Sequence, residues 1–495
     1  MATIIASAMT FIDGTVVNVA LPALQSSLDA TITDVQWVVE AYALFLGALI
    51  LVGGSLGDQL GRKKVFLFGV VAFTAASIAC GLAPTPLVLI IGRAAQGIGA
   101  AFLVPGSLAI ISATFDGAER GRAIGTWSGF SAITTAIGPV IGGWLVEHVS
   151  WRAAFFINVP LAAAVVWLAF AFVDESRDPS RGRRIDYVGV ALAIIGLTGI
   201  VLGLLEWAPL GATHPLVVTS LAVGVVGLVL LPIVEARRDD PMLPLEPFKS
   251  RPFSLANVLT LFLYGALGLM MFLLPMNLIQ VQGFTPTGAG AALVPFAVIM
   301  FVLSRWSGGL IDRTGSRLPL TIGPAVTAVG FFLLSRAGIG RSYWTAFFPA
   351  IVVMGVGMAI TVAPLTTTVM NAVDKRHSGV ASGVNNAVSR IAGLLAIAVF
   401  GVVLTHGFMS RLEPTLQSLD PTERARIEPE LSKLAGANVA DPRIASAIRA
   451  AFAGSFQIVM LNTVGLAILS AIAGFGVGDV RGATHEPEST NRRPA

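Results

Sequence analysis

The chain of 495 residues contains one cysteine, Cys80, which excludes an intramolecular disulfide framework. Charge is scarce too: 12% of residues are Asp, Glu, Lys or Arg, against roughly 25% in an average soluble domain. The five histidines, His148, His214, His377, His406 and His485, are scattered over helix ends and loops, which argues against a metal centre. No nucleotide-binding glycine loop, metal-ligand cluster or nucleophile elbow is present, so an enzyme is the least favoured class and no cofactor is expected. Alternating apolar and polar segments of about ten residues are missing, which excludes a membrane β-barrel.

What fills the chain instead is apolar. Hydrophobic residues make up 55% and the mean hydropathy is +0.80. Apolar runs recur near 2–22, 36–57, 65–83, 87–113, 123–146, 153–173, 187–205, 215–234, 254–276, 288–310, 319–335, 344–371, 380–404 and 454–478. A helix needs about 20 apolar residues to cross a bilayer, so the pattern predicts an all-α polytopic membrane protein with fourteen transmembrane helices.

Lys and Arg fix the expected orientation, since short basic loops stay in the cytoplasm. Loops after even-numbered helices carry Arg62-Lys63-Lys64, Arg120 with Arg122, Arg177 to Arg184, Arg237-Arg238 with Lys249 and Arg251, Arg313 with Arg317, and Lys375-Arg376. The short loops on the other side carry only Arg152, Arg336 and Arg341, which places both termini in the cytoplasm. The pI of about 9.5 reflects this asymmetry and gives no support for nucleic-acid binding. Residues 1–22 read as the first helix rather than a signal peptide, with a start site further upstream as the alternative. The tail from Asp479 onward reads as disordered and cytoplasmic.

Three ionisable residues fall inside the predicted helices: Asp13 in the first, Glu40 in the second and Arg93 in the fourth. Charges at such positions usually serve function, although an isolated buried Asp also serves helix packing. If the first helix ends near Leu21-Pro22, a rise of about 1.5 Å per residue puts Asp13 about 13 Å below the outer surface, with Glu40 shallower and Arg93 about 9 Å deep. The three then share the outer half of one bundle as proton-coupling candidates.

The chain also echoes itself. Gly54-Ser55-Leu56-Gly57-Asp58-Gln59-Leu60-Gly61-Arg62 after helix 2 resembles Gly309-Leu310-Ile311-Asp312-Arg313-Thr314-Gly315 after helix 10, and Glu119-Arg120-Gly121-Arg122 resembles Arg376-His377-Ser378-Gly379. Two related halves are a frequent build of secondary transporters. The expected division is an N-terminal six-helix bundle over 1–173, linkers with two extra helices over 174–253, a C-terminal six-helix bundle over 254–478 and a tail over 479–495. Gly54, Asp58, Gly61, Arg62 and Glu119, with Asp312 and Arg313 in the second half, are candidate gating residues at the basic helix ends; fixing topology is the plainer role of the same loop.

With these residues in view, the chain resembles the major facilitator superfamily, and within it the fourteen-helix drug:proton antiporters of the EmrB/QacA type. The resemblance rests on Asp13-Gly14-Thr15-Val16-Val17-Asn18-Val19-Ala20-Leu21-Pro22, Gln36-Trp37-Val38-Val39-Glu40-Ala41-Tyr42, Arg93-Ala94-Ala95-Gln96-Gly97-Ile98-Gly99, Gly138-Pro139-Val140-Ile141-Gly142-Gly143, and Trp151-Arg152 with Phe155 to Pro160. It implies the major facilitator fold with two added central helices, a small-molecule substrate and protons as coupled ligands. In that superfamily the motif holding Gly138, Pro139, Gly142 and Gly143 is associated with antiporters rather than symporters; Thr134 departs from the small residue usual before it.

The second half carries no acid deep within helices 9 to 14, leaving Arg305 and Arg390 as its intramembrane charges and making divalent cations less favoured cargo. Asn18, Asn257, Tyr264, Met271, Asn385 and Asn386, with Met270, Met276 and Asn277, are candidate lining of a soft-walled pocket, although such stripes also serve packing. The stretch 405–452, with six acids and six bases, is expected as an external loop with short amphipathic helices. A solvated cap is its plainer reading, a docking site for a periplasmic adaptor the alternative. The chain is expected to be a bacterial cytoplasmic-membrane exporter of amphipathic drugs or similar compounds in exchange for protons; a single-metabolite exporter, an uptake symporter and a non-transporting sensor are the alternatives.

Overall fold

The computed structural model describes residues 1–115, 117–177, 186–238, 243, 245–373 and 378–479; the side chains of Arg120, Arg305 and Asp312 fall outside them, as does the loop echo at Arg376-His377. Among the described residues, thirteen helices are long and apolar enough to cross a membrane. The fourteenth is α5, so the expected helix pattern is present.

The long helices are α1 (Ala2–Leu28), α2 (Ile32–Leu60), α3 (Arg62–Gly81), α4 (Pro86–Thr114), α5 (Gly117–His148), α6 (Asn158–Phe172), α7 (Tyr187–Leu205) and α8 (Pro215–Glu235). They continue as α9 (Arg251–Met276), α10 (Val294–Gly308), α11 (Arg317–Ser335), α12 (Phe348–Asn371), α13 (Ser378–Gln417) and α14 (Pro442–Val477). A π-turn, Asn277–Val281, extends α9, and a short helix, Pro286–Ala291, leads into α10. Local chemistry explains where several begin. Thr31 and Asp34 form a capping box at α2: the Thr31 hydroxyl accepts the Asp34 amide, and the Asp34 carboxylate accepts the Thr31 amide at 2.9 Å. Thr85 caps α4, whose first residue is Pro86, where a missing N–H costs nothing.

Helices α1 to α6 pack on one another, as do α9 to α14, while α8 pairs with α7, which lies against α2 and α13. Large apolar side chains on the outside, such as Phe170, Phe172, Trp167 and Val302, are exposed. That suits hydrocarbon surroundings, where the backbone satisfies itself inside each helix and side chains need only be apolar.

Two expectations about length are corrected. Helix α1 does not stop at Pro22; it runs through that proline to Leu28, ending on Asp29 in the left-handed region (φ 53°). At about 1.5 Å per residue Asp13 therefore lies about 22 Å from the tip of α1, and the tip overshoots the surface assumed from sequence. The stretch 405–452 is mostly not loop, because α13 extends to Gln417 and α14 starts at Pro442. Between them lie a short helix, Pro421–Ile427, and a 3-10 segment, Glu428–Gly436.

That segment docks on the tip of α1. Lys433 pairs with Asp29 and, at 2.6 Å, with Glu430, while Gln25 Nε2 donates to the Lys433 carbonyl at 3.1 Å. The hydrogen bond to Asp29, then that to Glu430, raises the Lys433 ammonium above its ordinary 10.5. The bond from Lys433, then the Asn438 amide, lowers Glu430 below its ordinary 4.5. Stabilisation from a depressed acid is present above its unfolded value and is lost as pH falls through the folded one; that from a raised base is present below its unfolded value and is lost as pH rises through the folded one. Docking is therefore expected to be pH-independent between about 4.5 and 10.5. Amide exchange across 428–436, normalised for intrinsic rate, checks this: it should be flat from about pH 5 to 9 and faster in Lys433→Ala, by the modest amount a surface pair is worth, up to about 1 kcal/mol.

Candidate functional site

Helix α1 brings Asp13, and α4 brings Arg93, into the interior of the first helix group, where both side chains are almost completely buried. Arg93 Nη1 donates to Asp13 Oδ2 at 2.6 Å, and Arg93 Nε donates to the Val38 carbonyl of α2 at 3.0 Å. The other carboxylate oxygen, Asp13 Oδ1, accepts from Gln96 Nε2 at 2.7 Å and from Asn158 Nδ2 at 3.4 Å. Gln96 Oε1 accepts from Arg93 at 2.6 Å, closing a three-residue ring. Ser77 Oγ accepts from Asn158 at 3.0 Å and donates to the Phe155 carbonyl at 2.8 Å. The guanidinium also lies over the Tyr42 ring, 4.3 Å from its centroid.

This is what a buried charge pair requires. Removing two ions from water costs several kcal/mol each, and the pair persists only if attraction and further hydrogen bonds satisfy the remaining lone pairs and protons. Five helices contribute, α1, α2, α3, α4 and α6, so a change in how they pack alters the pair. Gln96, Asn158 and Ser77 did not emerge as site residues from the sequence. Gln96 and Asn158 fall within the motifs at Arg93 and Phe155, and membership of those motifs was the available signal.

Helix α5 ties this centre to the second half. Gly138 and Gly142 face α1: a side chain at Gly138 would strike the Thr15 hydroxyl, and one at Gly142 would meet Val16 Cα at 2.9 Å. Pro139 and Gly143 face the short helix Pro286–Ala291, where Gly290 lies against the Pro139 carbonyl and Gly143 against the Pro286 carbonyl. The motif is thus a two-sided clasp, with α1 on one side and the second half on the other.

Glu40 is not part of the Asp13 cluster. It is fully buried, and neither carboxylate oxygen has a hydrogen-bond partner among the described residues. One turn towards the start of α2, Gln36 touches Gly401 of α13; two turns the other way, Gly47 faces Arg390 and Ile391 of α13. Glu40 therefore points into the seam between α2 and α13, whereas Arg93 sits on the far side of α2. Counting residues gave depth, not azimuth, and the azimuth separates them.

At the basic end, Arg62 pairs with Asp58 at 2.8 Å, one turn earlier in the chain, rather than with Glu119, which is exposed. The Glu175 carboxylate, just beyond α6, accepts the Lys63 and Lys64 amides at 3.1 and 3.2 Å and so caps the start of α3. Gly61 has φ 117°, a conformation that favours glycine, and it abuts Glu175. Gly54 faces Pro105 of α4 at ordinary contact distance. Arg313 is exposed, and the Asp312 side chain lies outside the described residues.

The expected pocket residues divide. Asn385 Nδ2 donates to Asn257 Oδ1 at 3.1 Å and to Thr260 Oγ1 at 2.7 Å, so Asn257 and Asn385 form a clamp between α9 and α13. Met270 and Met276 are buried packing, while Asn18, Tyr264 and Met271 are half-buried. Asn386 is exposed and its amide bonds only its own helix, to the Ser382 carbonyl at 3.0 Å. Hydrogen bonds crossing between the halves sit at the end opposite the basic loops: Gln280 to Gln25 at 2.9 Å, and the Thr287 amide to Glu147 at 3.1 Å.

The sequence profile described as Major Facilitator Superfamily matches residues 3–397. The chain is 35% identical over 424 residues to "Multidrug resistance protein Stp" of Mycobacterium tuberculosis, covering 84% of this chain and 78% of that protein. It is 31% identical over 431 residues to "Tetracenomycin C resistance and export protein" of Streptomyces glaucescens (85% and 79% covered), and 34% identical over 406 residues to "Puromycin resistance protein pur8" of Streptomyces alboniger (81% and 80% covered). Among solved structures, a bacterial homolog of the human lysosomal transporter Spinster superposes with a TM-score of 0.66 at 17% identity, covering 96% of both chains. The peptide transporter PepTSo gives 0.62 at 15% identity, again covering 96% of each.

Breaking the buried pair from one side strands a charge. Asp13→Ala is expected to destabilise the purified protein by about 3–5 kcal/mol, and Asp13→Ala with Arg93→Met together by less than the sum of the singles. Thermal unfolding of the four proteins in detergent measures the coupling.

Proposed function

This chain belongs to the Major Facilitator Superfamily, and from that membership we propose that it exports amphipathic drugs or similar small organic compounds in exchange for protons by alternating access. The observation that carries the reading is the buried Asp13–Arg93 pair, at 2.6 Å, held in a helix group that α5 clasps to the opposite half. Relatives whose names record drug resistance or export support the cargo class. The basic loops after α2 and α8 support a cytoplasmic assignment for that end, and hence for both termini, in a bacterial cytoplasmic membrane.

In this cycle Asp13 is the proton carrier and Arg93 its internal competitor. A proton arriving from outside neutralises Asp13 and frees the guanidinium, whose remaining bonds to Val38 and Gln96 then reset the packing of α1, α2 and α4. Release of that proton to the cytoplasm restores the pair and readies the pocket for the next cargo molecule. The cross-half bonds at Gln25, Gln280 and Glu147 support a state closed on the outside. Gly54, Asp58, Gly61, Arg62 and Glu119 act at the inner gate, with Asp312 and Arg313 as their counterparts; Gly138, Pro139, Gly142 and Gly143 transmit movement of α1 to the other half. Glu40 acts separately, at the α2–α13 seam.

Proton release from energised inverted vesicles, on adding a panel of lipophilic cations, neutral drugs and anions, tests the reading. Substrate-dependent proton movement is expected in the wild type and none in Asp13→Asn; equal movement in both removes Asp13 from the coupling role, and no response to any compound in the wild type removes the export reading. Gly143→Val pushes α5 away from the Pro286 carbonyl, a clash of the kind that costs about 1–3 kcal/mol in a packed interior. Its expected result is membrane insertion at wild-type levels with loss of transport in the same vesicles.

A further inference from the structure

Among the described side chains, the mechanism leaves one intramembrane cation of the second half unused. Arg390 lies within α13, its Nε is enclosed, and it makes no hydrogen bond or ion pair among the described residues. No acid lies deep within α9 to α14 to neutralise it. Glu40, on the facing helix, is two turns away along the seam, and no hydrogen bond or ion pair joins the two.

The faces of α13 show where Arg390 points. Leu394 and Ala398 pack against α2 and α7, so they mark one face. Asn385 bonds α9, and the Ala392 carbonyl approaches Gly265 of α9, so they mark another. Asn386 and Arg390 are one turn apart and share the face between these two, on the side away from α7. Asn386 on that face is exposed, and it lies on the basic side of Arg390. Across the seam, Gly47 presents no side chain: a Cβ there would lie 4.0 Å from Arg390 Cβ.

We propose that Arg390 is a cargo-binding group, and that it takes the anionic substituent, a carboxylate or phenolate, of an amphipathic compound entering from the basic end past Asn386. A planar guanidinium suits such a group because it donates two parallel hydrogen bonds to it. Leu394 and Leu44 beside it are packed closed in this structure, so the remainder of the molecule enters when the α2–α13 seam parts. The inference deepens the export reading and rests on it, since it names a cargo class for the same pathway.

Fluorescence anisotropy with the full-length protein in nanodiscs tests it, using carboxyfluorescein as the anionic probe and ethidium as the cationic one. The wild type is expected to bind both, Arg390→Gln to lose about tenfold or more in affinity for carboxyfluorescein while holding ethidium as before, and Arg390→Lys to recover part of the loss. Unchanged binding of ethidium shows that the variant is folded. Equal carboxyfluorescein affinity in the wild type and Arg390→Gln overturns the assignment, as does parallel loss of both probes. A wild type that binds ethidium alone removes the anion site and leaves export standing; one that binds neither removes both.

Discussion

A carboxylate and a guanidinium buried together, Asp13 and Arg93, set the terms for the rest of this structure. Neither could remain alone in such surroundings, so the chain surrounds them with Gln96, Asn158, Ser77 and the Val38 carbonyl until most hydrogen-bonding positions are filled. Each partner comes from a different helix. The pair is consequently a packing constraint on five helices at once, and a single proton is enough to change it. Helix α5 makes that constraint matter at a distance, because its glycines bring it against α1 on one side and against the Pro286–Ala291 helix on the other.

The opposite situation holds along the seam between α2 and α13. Glu40 and Arg390 are polar groups with buried atoms that no partner among the described residues satisfies. Unsatisfied groups inside a membrane are costly, and they accumulate here where two halves that must slide apart meet. On the proposed reading, the satisfied cluster inside one half holds one conformation, and the unsatisfied set between the halves offers contacts to water, protons or cargo when the seam opens.

The fold was readable from the sequence because an apolar run of about 20 residues has few other uses, and thirteen of the fourteen expected runs meet that criterion directly. The charge pair was readable too, since Asp13 and Arg93 stand out against apolar neighbours. The errors share a cause: hydropathy reports depth and nothing about direction around a helix. Glu40 was grouped with Arg93 on depth alone, and the two lie on different sides of α2. Neutral polar residues such as Gln96 and Asn158 raise little hydropathy signal, so the residues that complete the centre went unnoticed. Pro22 was taken as a helix end although membrane helices tolerate proline. Glu175 lay beyond a helix end, where nothing in sequence marks the distant backbone it caps.

In the proposed cycle, cargo and proton compete through Asp13. Difference infrared spectroscopy on the purified protein, with and without a transported compound, observes that carboxyl group directly. Starting from the proton-loaded protein, in which the Asp13–Arg93 pair is broken, cargo binding is expected to remove a protonated-carboxyl band present in the wild type and absent from Asp13→Asn. A band that persists unchanged on cargo binding, or that appears equally in Asp13→Asn, would contradict it.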